Sequence, residues 1–247
     1  MKKFWEKIKG SELIILYMVF AALLVCANCI ATKQVPIGKW FGIPVSITIG
    51  IVCYPFTFLI TDIIGEKYGK AKAQIAVIGG MIGQILAIVL VVIANVIPGS
   101  DKAVAENFNS ILGSNWILVI GSLTACLISQ TWDVFIFHKI RDKYIEKHGN
   151  TKGKWIWNNV STISSQFFDS VIFYIFLIIM LRTQGVILPF SACVATIFAY
   201  WIIKTGIALL DTPVFYLFTR NAGIKATEYE RSDFESFDAD VEGEIEK

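Results

Sequence analysis

The sequence predicts an all-α, polytopic membrane protein with six transmembrane helices and both termini in the cytoplasm. Three observations predict it. Of the 247 residues, 55% are hydrophobic and only 17% charged, with a mean hydropathy of +0.62, whereas a soluble domain keeps roughly a quarter of its residues charged. The apolar residues gather in six runs near the ~20 residues that a helix needs to cross the hydrocarbon core. Lysine and arginine fall heavily on alternate sides of those runs.

The runs are Leu13–Ala31, Ile43–Ile64, Ala73–Ile97, Trp116–Phe137, Trp157–Leu181 and Leu188–Phe218. They are read as helices because the sustained period-two alternation of a transmembrane strand is not seen in them. The first run is too long for a cleavable leader and lacks a small-residue cleavage site, so it counts as a span. One set of loops and ends holds seventeen of the 22 basic residues: four between Lys2 and Lys9, three between Lys67 and Lys72, six between Lys139 and Lys154, and four from Arg220 onward. The other set holds four, Lys33, Lys39, Lys102 and Arg182, and Lys204 lies within the last run. The basic set marks the cytoplasmic side. A multi-pass protein of the cell (inner) membrane is the expected placement.

The domain plan is an interfacial N-terminal segment (1–12), a six-helix transmembrane domain (13–220) and an acidic cytoplasmic tail (221–247). Lys2 to Lys9 reads as an interfacial anchor. From Lys225 on, nine acidic and three basic residues leave little to bury, so the tail is expected to be disordered. Between the third and fourth runs, Pro98-Gly99-Ser100 opens an outer loop with a weakly amphipathic middle. Gly79, Gly80 and Gly83 make a small-residue face suited to close helix packing.

Several chemistries find no support. Cys26 and Cys29 have a Cys-x-x-Cys spacing, yet no His or second Cys pair joins them, and they read as small packing residues. His138 and His148 sit in or beside a basic loop. No metal-ligand spacing, nucleophile–base pair or Gly-rich phosphate loop is visible, so no enzyme, metal or cofactor is expected. Asn159-Val160-Ser161 matches a glycosylation acceptor but falls on the cytoplasmic side.

The informative residues are polar ones inside the runs, because ionisable groups in a bilayer are costly and tend to be functional. Asp62 and Glu66 lie four apart on one helical face. Gln130 and Asp133 lie three apart on the fourth span. Asn159, Thr162, Gln166 and Asp169 form a stripe on the fifth, and Lys204 and Asp211 lie two turns apart on the sixth. Asn28 on the first span is a further candidate. Ser129-Gln130-x-x-Asp133-x-x-Ile136-Phe137 recurs as Ser165-Gln166-x-x-Asp169-x-x-Ile172-Phe173. Antiparallel neighbours would bring the two copies to similar depth, facing one another across a shared cavity. Each residue also has a plain structural reading: Asn28 or Thr162 as inter-helix glue, Glu66 as a solvated helix end, Lys204 as an ion-pair partner for Asp169 or Asp211. The two Gln–Asp pairs together favour a binding cavity.

Carboxylates accept hydrogen bonds, whereas amides accept and donate. A guanine-like edge, with adjacent N–H donors and a carbonyl, fits Asp plus Gln. Trp132, Phe135, Phe168 and Phe173 could sandwich a flat ring. The excess of acids over Lys204 favours a neutral or cationic ligand.

Four stretches carry a family resemblance: Tyr54 to Gly69, Ser129 to Lys139, Asn159 to Phe173 and Lys204 to Pro213. In these the chain resembles the queuosine precursor transporter family, also described as vitamin uptake transporters. The resemblance implies import of a 7-deazaguanine, such as 7-cyano- or 7-aminomethyl-7-deazaguanine or the base queuine, for transfer RNA modification. The expected partners are a purine-like small molecule and the lipid bilayer, with no nucleic acid; a homo-oligomer is left open. The expected site is Asp62, Gln130, Asp133, Asn159, Gln166, Asp169, Lys204 and Asp211, with Asn28, Thr162 and Glu66 as further candidates. Pro55 and Pro213 would let their helices bend during gating. The alternative is a substrate-binding membrane subunit that serves a separate energising complex.

Overall fold

The computed structural model describes residues 11–31, 33–40, 43–112, 116–183, 185, 187 and 189–222. The predicted anchor from Lys2 to Lys9, and the acidic tail beyond its first two residues, lie outside the described residues. Among the described residues, six helices are long and apolar enough to cross a membrane, as the sequence predicts.

Helix α1 (Glu12–Ile30) is followed by a departure from expectation. Residues Ile43–Thr48, read as the start of the second span, form strand β2, which pairs antiparallel with β1 (Gln34–Trp40) from the preceding loop. The reason is local. Pro36 and Pro44 remove the N–H groups a helix needs, and Ile43, Val45 and Ile47 alternate with Pro44, Ser46 and Thr48 in the period of a strand. The register shifts between Pro36 and Lys39, at a bulge where Gly38 takes φ +100°. Tyr200 fixes the hairpin to the last span: its hydroxyl accepts from the Thr48 amide at 3.2 Å and donates to the Ser46 carbonyl at 3.3 Å.

A 3-10 turn (Ile49–Val52) leads into α2 (Tyr54–Tyr68), with Pro55 in its first turn where a missing N–H costs little. Every residue from Thr57 through Glu66 is buried, so α2 is the central helix. Gly69, at φ +88°, turns the chain directly into α3 (Lys70–Val96). The buried face of α3 runs Ala73, Ala76, Val77, Gly80, Met81 and Gln84, at helical spacing. Ile75, Ile78, Ile82 and Ile85 face outward, as aliphatic side chains can where the solvent is lipid. Of the glycines predicted to pack closely, only Gly80 does: a Cβ there would meet Phe20 of α1 at 2.4 Å, whereas Gly79 and Gly83 have nothing within 4 Å.

Within the outer loop, α4 (Lys102–Leu112) is capped by the Asp101 carboxylate, which accepts from the Ala103 and Val104 amides at 2.8 and 3.2 Å. Helices α5 (Trp116–His148) and α6 (Lys154–Thr183) form the most extensive pair in the fold. Both run past the predicted spans, because Lys, Arg and Glu are good helix formers and apolarity marks only the membrane-embedded part. The sixth span is broken into α7 (Phe190–Leu209) and α8 (Thr212–Phe218), with Pro213 at the start of α8.

Candidate functional site: a polar column among α2, α5, α6 and α7

The repeat of α5 and α6 has a reciprocal geometry. Ser129 Oγ donates to Asp169 Oδ1 at 3.3 Å, and Ser165 Oγ donates to Asp133 Oδ1 at 2.9 Å. Each serine therefore lies level with the aspartate of the other copy. On antiparallel helices this sets Asp133 and Asp169 about four residues, or ~6 Å, apart in depth. The two aspartates then meet different surroundings.

Asp169, toward the end poor in Lys and Arg, is paired. Its Oδ2 accepts from the Lys204 ammonium, and Lys204 Nζ also lies 4.5 Å from the Tyr54 ring centroid. Both charged residues are buried, at 1% and 4% exposure. Here the structural reading of Lys204 holds: it neutralises Asp169.

Asp133, toward the end rich in Lys and Arg, has no such partner. Its carboxyl lies within hydrogen-bonding range of Asp62 on α2, with Thr162 beside Asp62 and Asp211 in electrostatic range. Asp62 Oδ1 and Asp133 Oδ2 are buried and find no donor. Two acceptors face one another, and only a proton or a ligand donor between them can make a hydrogen bond. No group of three or more His, Cys, Asp or Glu among the described residues is placed to hold a metal ion.

Between these levels the two glutamines also diverge. Gln130 is satisfied: Nε2 donates to Thr57 Oγ1 at 3.0 Å and Oε1 accepts from Thr61 Oγ1 at 3.2 Å. Gln166 is fully buried, yet both Nε2 and Oε1 are without a partner. Asn158 Oδ1 and Ser170 Oγ, on the same helix, are likewise buried and unpaired. Buried polar groups are nearly always hydrogen-bonded, so such a concentration is unusual.

The remaining predicted residues lie apart from this core. Asn159 is half-buried and bonds the Trp155 carbonyl at 2.8 Å and Thr212 at 3.0 Å, joining α6 to α8. Asn158 takes the inward face instead. Asn28 joins α1 to α5 by accepting from Ser122 Oγ at 3.1 Å. Glu66 is not a solvated helix end: at 0% exposure it accepts from Arg141 Nε at 2.8 Å and Trp157 Nε1 at 3.2 Å, with Lys154 Nζ 3.3 Å away. Lys154 in turn donates to the Thr219 and Ala222 carbonyls at 2.7 and 2.9 Å, so one ionic network ties α2, α5, α6 and the end of α8 together at the Lys- and Arg-rich side. Arg141 and Lys154 escape a reading by sequence because both sit in a basic loop that looks solvated.

The predicted ring sandwich is not formed. Trp132, Phe135 and Phe168 are at least 36% exposed on the outer surface of α5 and α6, where Trp132 and Phe168 make an edge contact at 4.9 Å. The inward faces are given to Gln130, Asp133, Ser165 and Gln166, one or two residues away, which leaves the aromatics facing lipid.

Against known proteins, a family model described as "Putative vitamin uptake transporter" matches residues 48–218. The chain is 30% identical over 210 residues to the "Probable queuosine precursor transporter" of Bacillus subtilis (strain 168), covering 84% of this chain and 85% of that one. No solved structure matches the chain. The matched span holds the broken helices and the whole polar column, and the chain belongs to the vitamin uptake transporter family, a family of membrane transporters.

Proposed function

We propose that this transporter imports a 7-deazaguanine precursor of queuosine across the inner membrane, both termini lying in the cytoplasm. The observation that carries the proposal is the pair of donor-less carboxylate oxygens on Asp62 and Asp133, next to the α6 stripe that bears the unpaired Gln166 amide. The carboxylates offer acceptors, and the Gln166 amide adds one acceptor and one donor group, which matches the adjacent N–H groups and the carbonyl of a guanine-like edge. With Lys204 committed to Asp169, and Arg141 and Lys154 to Glu66, the inner carboxylates have no basic residue of their own. A cationic aminomethyl arm would supply one, so 7-aminomethyl-7-deazaguanine suits the site better than the neutral cyano base. The family relative named for queuosine precursors supports the same reading.

In this proposal Asp62, Asp133 and Gln166 contact the base, with Asp211 and Thr162 beside them. Gln130, Asp169 and Lys204 form the wall at the outer level. The two helices broken near Pro55 and Pro213 bring α2 and Asp211 to the site, as discontinuous helices do in other secondary transporters. The test is uptake of labelled 7-aminomethyl-7-deazaguanine into cells that lack their own route, and into liposomes containing only the purified chain. Uptake by liposomes excludes dependence on a separate energising complex. Normal uptake by both Asp62→Asn and Asp133→Asn variants that reach the membrane would sink the site assignment.

A further inference from the structure

A cavity lies away from the polar column, toward the end of the bundle poor in Lys and Arg. It is bounded by α1, α3, α4 and the start of α5, with a volume of about 280 Å³, close to the lower end of small-molecule sites at ~300 Å³. Most of its wall is apolar, but Asn28, Gln84 and Asn95 line it. Gln84 is only 2% exposed, and its Oε1, like Asn95 Oδ1, has no hydrogen-bond partner. A lipid chain in this cavity would leave both acceptors unsatisfied, at a cost of roughly 1–3 kcal/mol for each such group. A flat molecule bearing N–H groups would satisfy them and fill the apolar remainder.

The cavity is joined to the polar column by a hydrogen-bonded chain. Asn28 Oδ1 accepts from Ser122 Oγ at 3.1 Å, Ser122 Oγ lies 3.2 Å from the Tyr54 hydroxyl, and the Tyr54 ring sits beneath the Lys204 ammonium. We infer that this cavity is an outer subsite, where Gln84 and Asn95 hold a planar N–H-bearing base before it passes Asn28, Ser122 and Tyr54. The inference rests on the transport reading above and extends it to a second site of the same ligand class.

Cys29 lines the cavity and is exposed, so it reports on occupancy in the unmodified chain. Intact cells are treated with a membrane-impermeant methanethiosulfonate, with and without 7-aminomethyl-7-deazaguanine, and modification of Cys29 is read by peptide mass spectrometry. Cys29 is expected to react from outside, and base at ten times its Kd should slow the reaction about ten-fold, by occupancy alone. Gln84→Leu should raise the Kd about five-fold, the effect of one lost hydrogen bond, so that the same base concentration slows the reaction only about three-fold, while Asp133→Asn should leave protection intact. Three results overturn the subsite: a Cys29 that is unreactive from outside, normal uptake without protection, or protection lost in Asp133→Asn but kept in Gln84→Leu. The second of these leaves the transport reading standing. Absence of both uptake and protection with all three deazaguanine bases overturns the transport reading, and the subsite with it.

Discussion

Asp133 and Asp169 occupy equivalent places in the sequence repeat, yet the structure predicts opposite outcomes when each is changed to Asn. In Asp169→Asn the Lys204 ammonium, 4% exposed, loses its carboxylate. Breaking a buried pair from one side costs about 3–5 kcal/mol, and the Tyr54 ring left beneath the ammonium holds the loss near the lower bound. For a chain of this size ~3 kcal/mol corresponds to a fall in Tm of roughly 6–12 °C. In Asp133→Asn the retained Oδ1 still accepts from Ser165. The new Nδ2–H₂ can donate to the neighbouring Asp62 carboxyl. Stability should then change by less than about 1 kcal/mol, while uptake is lost because the amide occupies the place of the ligand's donor. The assay is thermal unfolding of purified protein in detergent, followed by fluorescence of its seven tryptophans, beside uptake by cells. A double variant, Asp169→Asn with Lys204→Met, should recover most of the lost Tm. Equal destabilisation by the two Asp→Asn changes would refute the division into a structural and a ligand-facing aspartate.

The glutamines should divide in the same way. Gln166→Leu removes a fully buried amide with no partner and should leave Tm unchanged or raised, but abolish the Tm increase produced by added 7-aminomethyl-7-deazaguanine. Gln130→Leu breaks two bonds to threonine hydroxyls, but both hydroxyls also bond backbone carbonyls, so thermal unfolding should show a loss of about 1 kcal/mol. At the Lys- and Arg-rich end, Glu66→Gln takes the buried carboxylate from Arg141 and Lys154, leaving Arg141 the exposed Asp142 at 3.6 Å, and denaturant titration should show a loss of about 3–5 kcal/mol. Gly80→Ala places a methyl 2.4 Å from Phe20 and should cost about 1–3 kcal/mol, whereas Gly79→Ala meets nothing and should gain up to about 1 kcal/mol; a pair of melting curves decides this.

The spans and the repeat are legible in the sequence because they rest on composition and spacing, which the bilayer enforces over whole segments. Which face each residue presents is less so. Asn158 and Asn159 differ by about 100° around α6, and a 3-4-3 spacing admits either. Trp132 and Phe168 are apolar enough to suit a cavity or lipid equally. The hairpin could have been found from Pro36, Pro44 and the alternation of Ile43, Val45 and Ile47, which an averaged hydropathy hides. The Glu66 network has no such signal, since Arg141 and Lys154 are brought to it by tertiary packing of two helices that extend beyond their apolar parts.

The asymmetry within the repeat follows from the helix each copy packs against. The Ser–Asp reciprocity between α5 and α6 gives both aspartates the same first hydrogen bond. What differs is the third helix: α7 brings Lys204 to Asp169, while α2 brings a second acid to Asp133. A site built only for structural polarity would pair both aspartates alike, because each uncompensated carboxylate is expensive to bury. The Asp62–Asp133 pair is instead left with two acceptors together, an arrangement stabilised only when a proton or a ligand donor lies between them. It lies between a neutralised ion pair on one side and a fully engaged ionic network at the Lys- and Arg-rich ends on the other, so in the proposed transport these unsatisfied groups are the ones left for a ligand rather than for helix contacts.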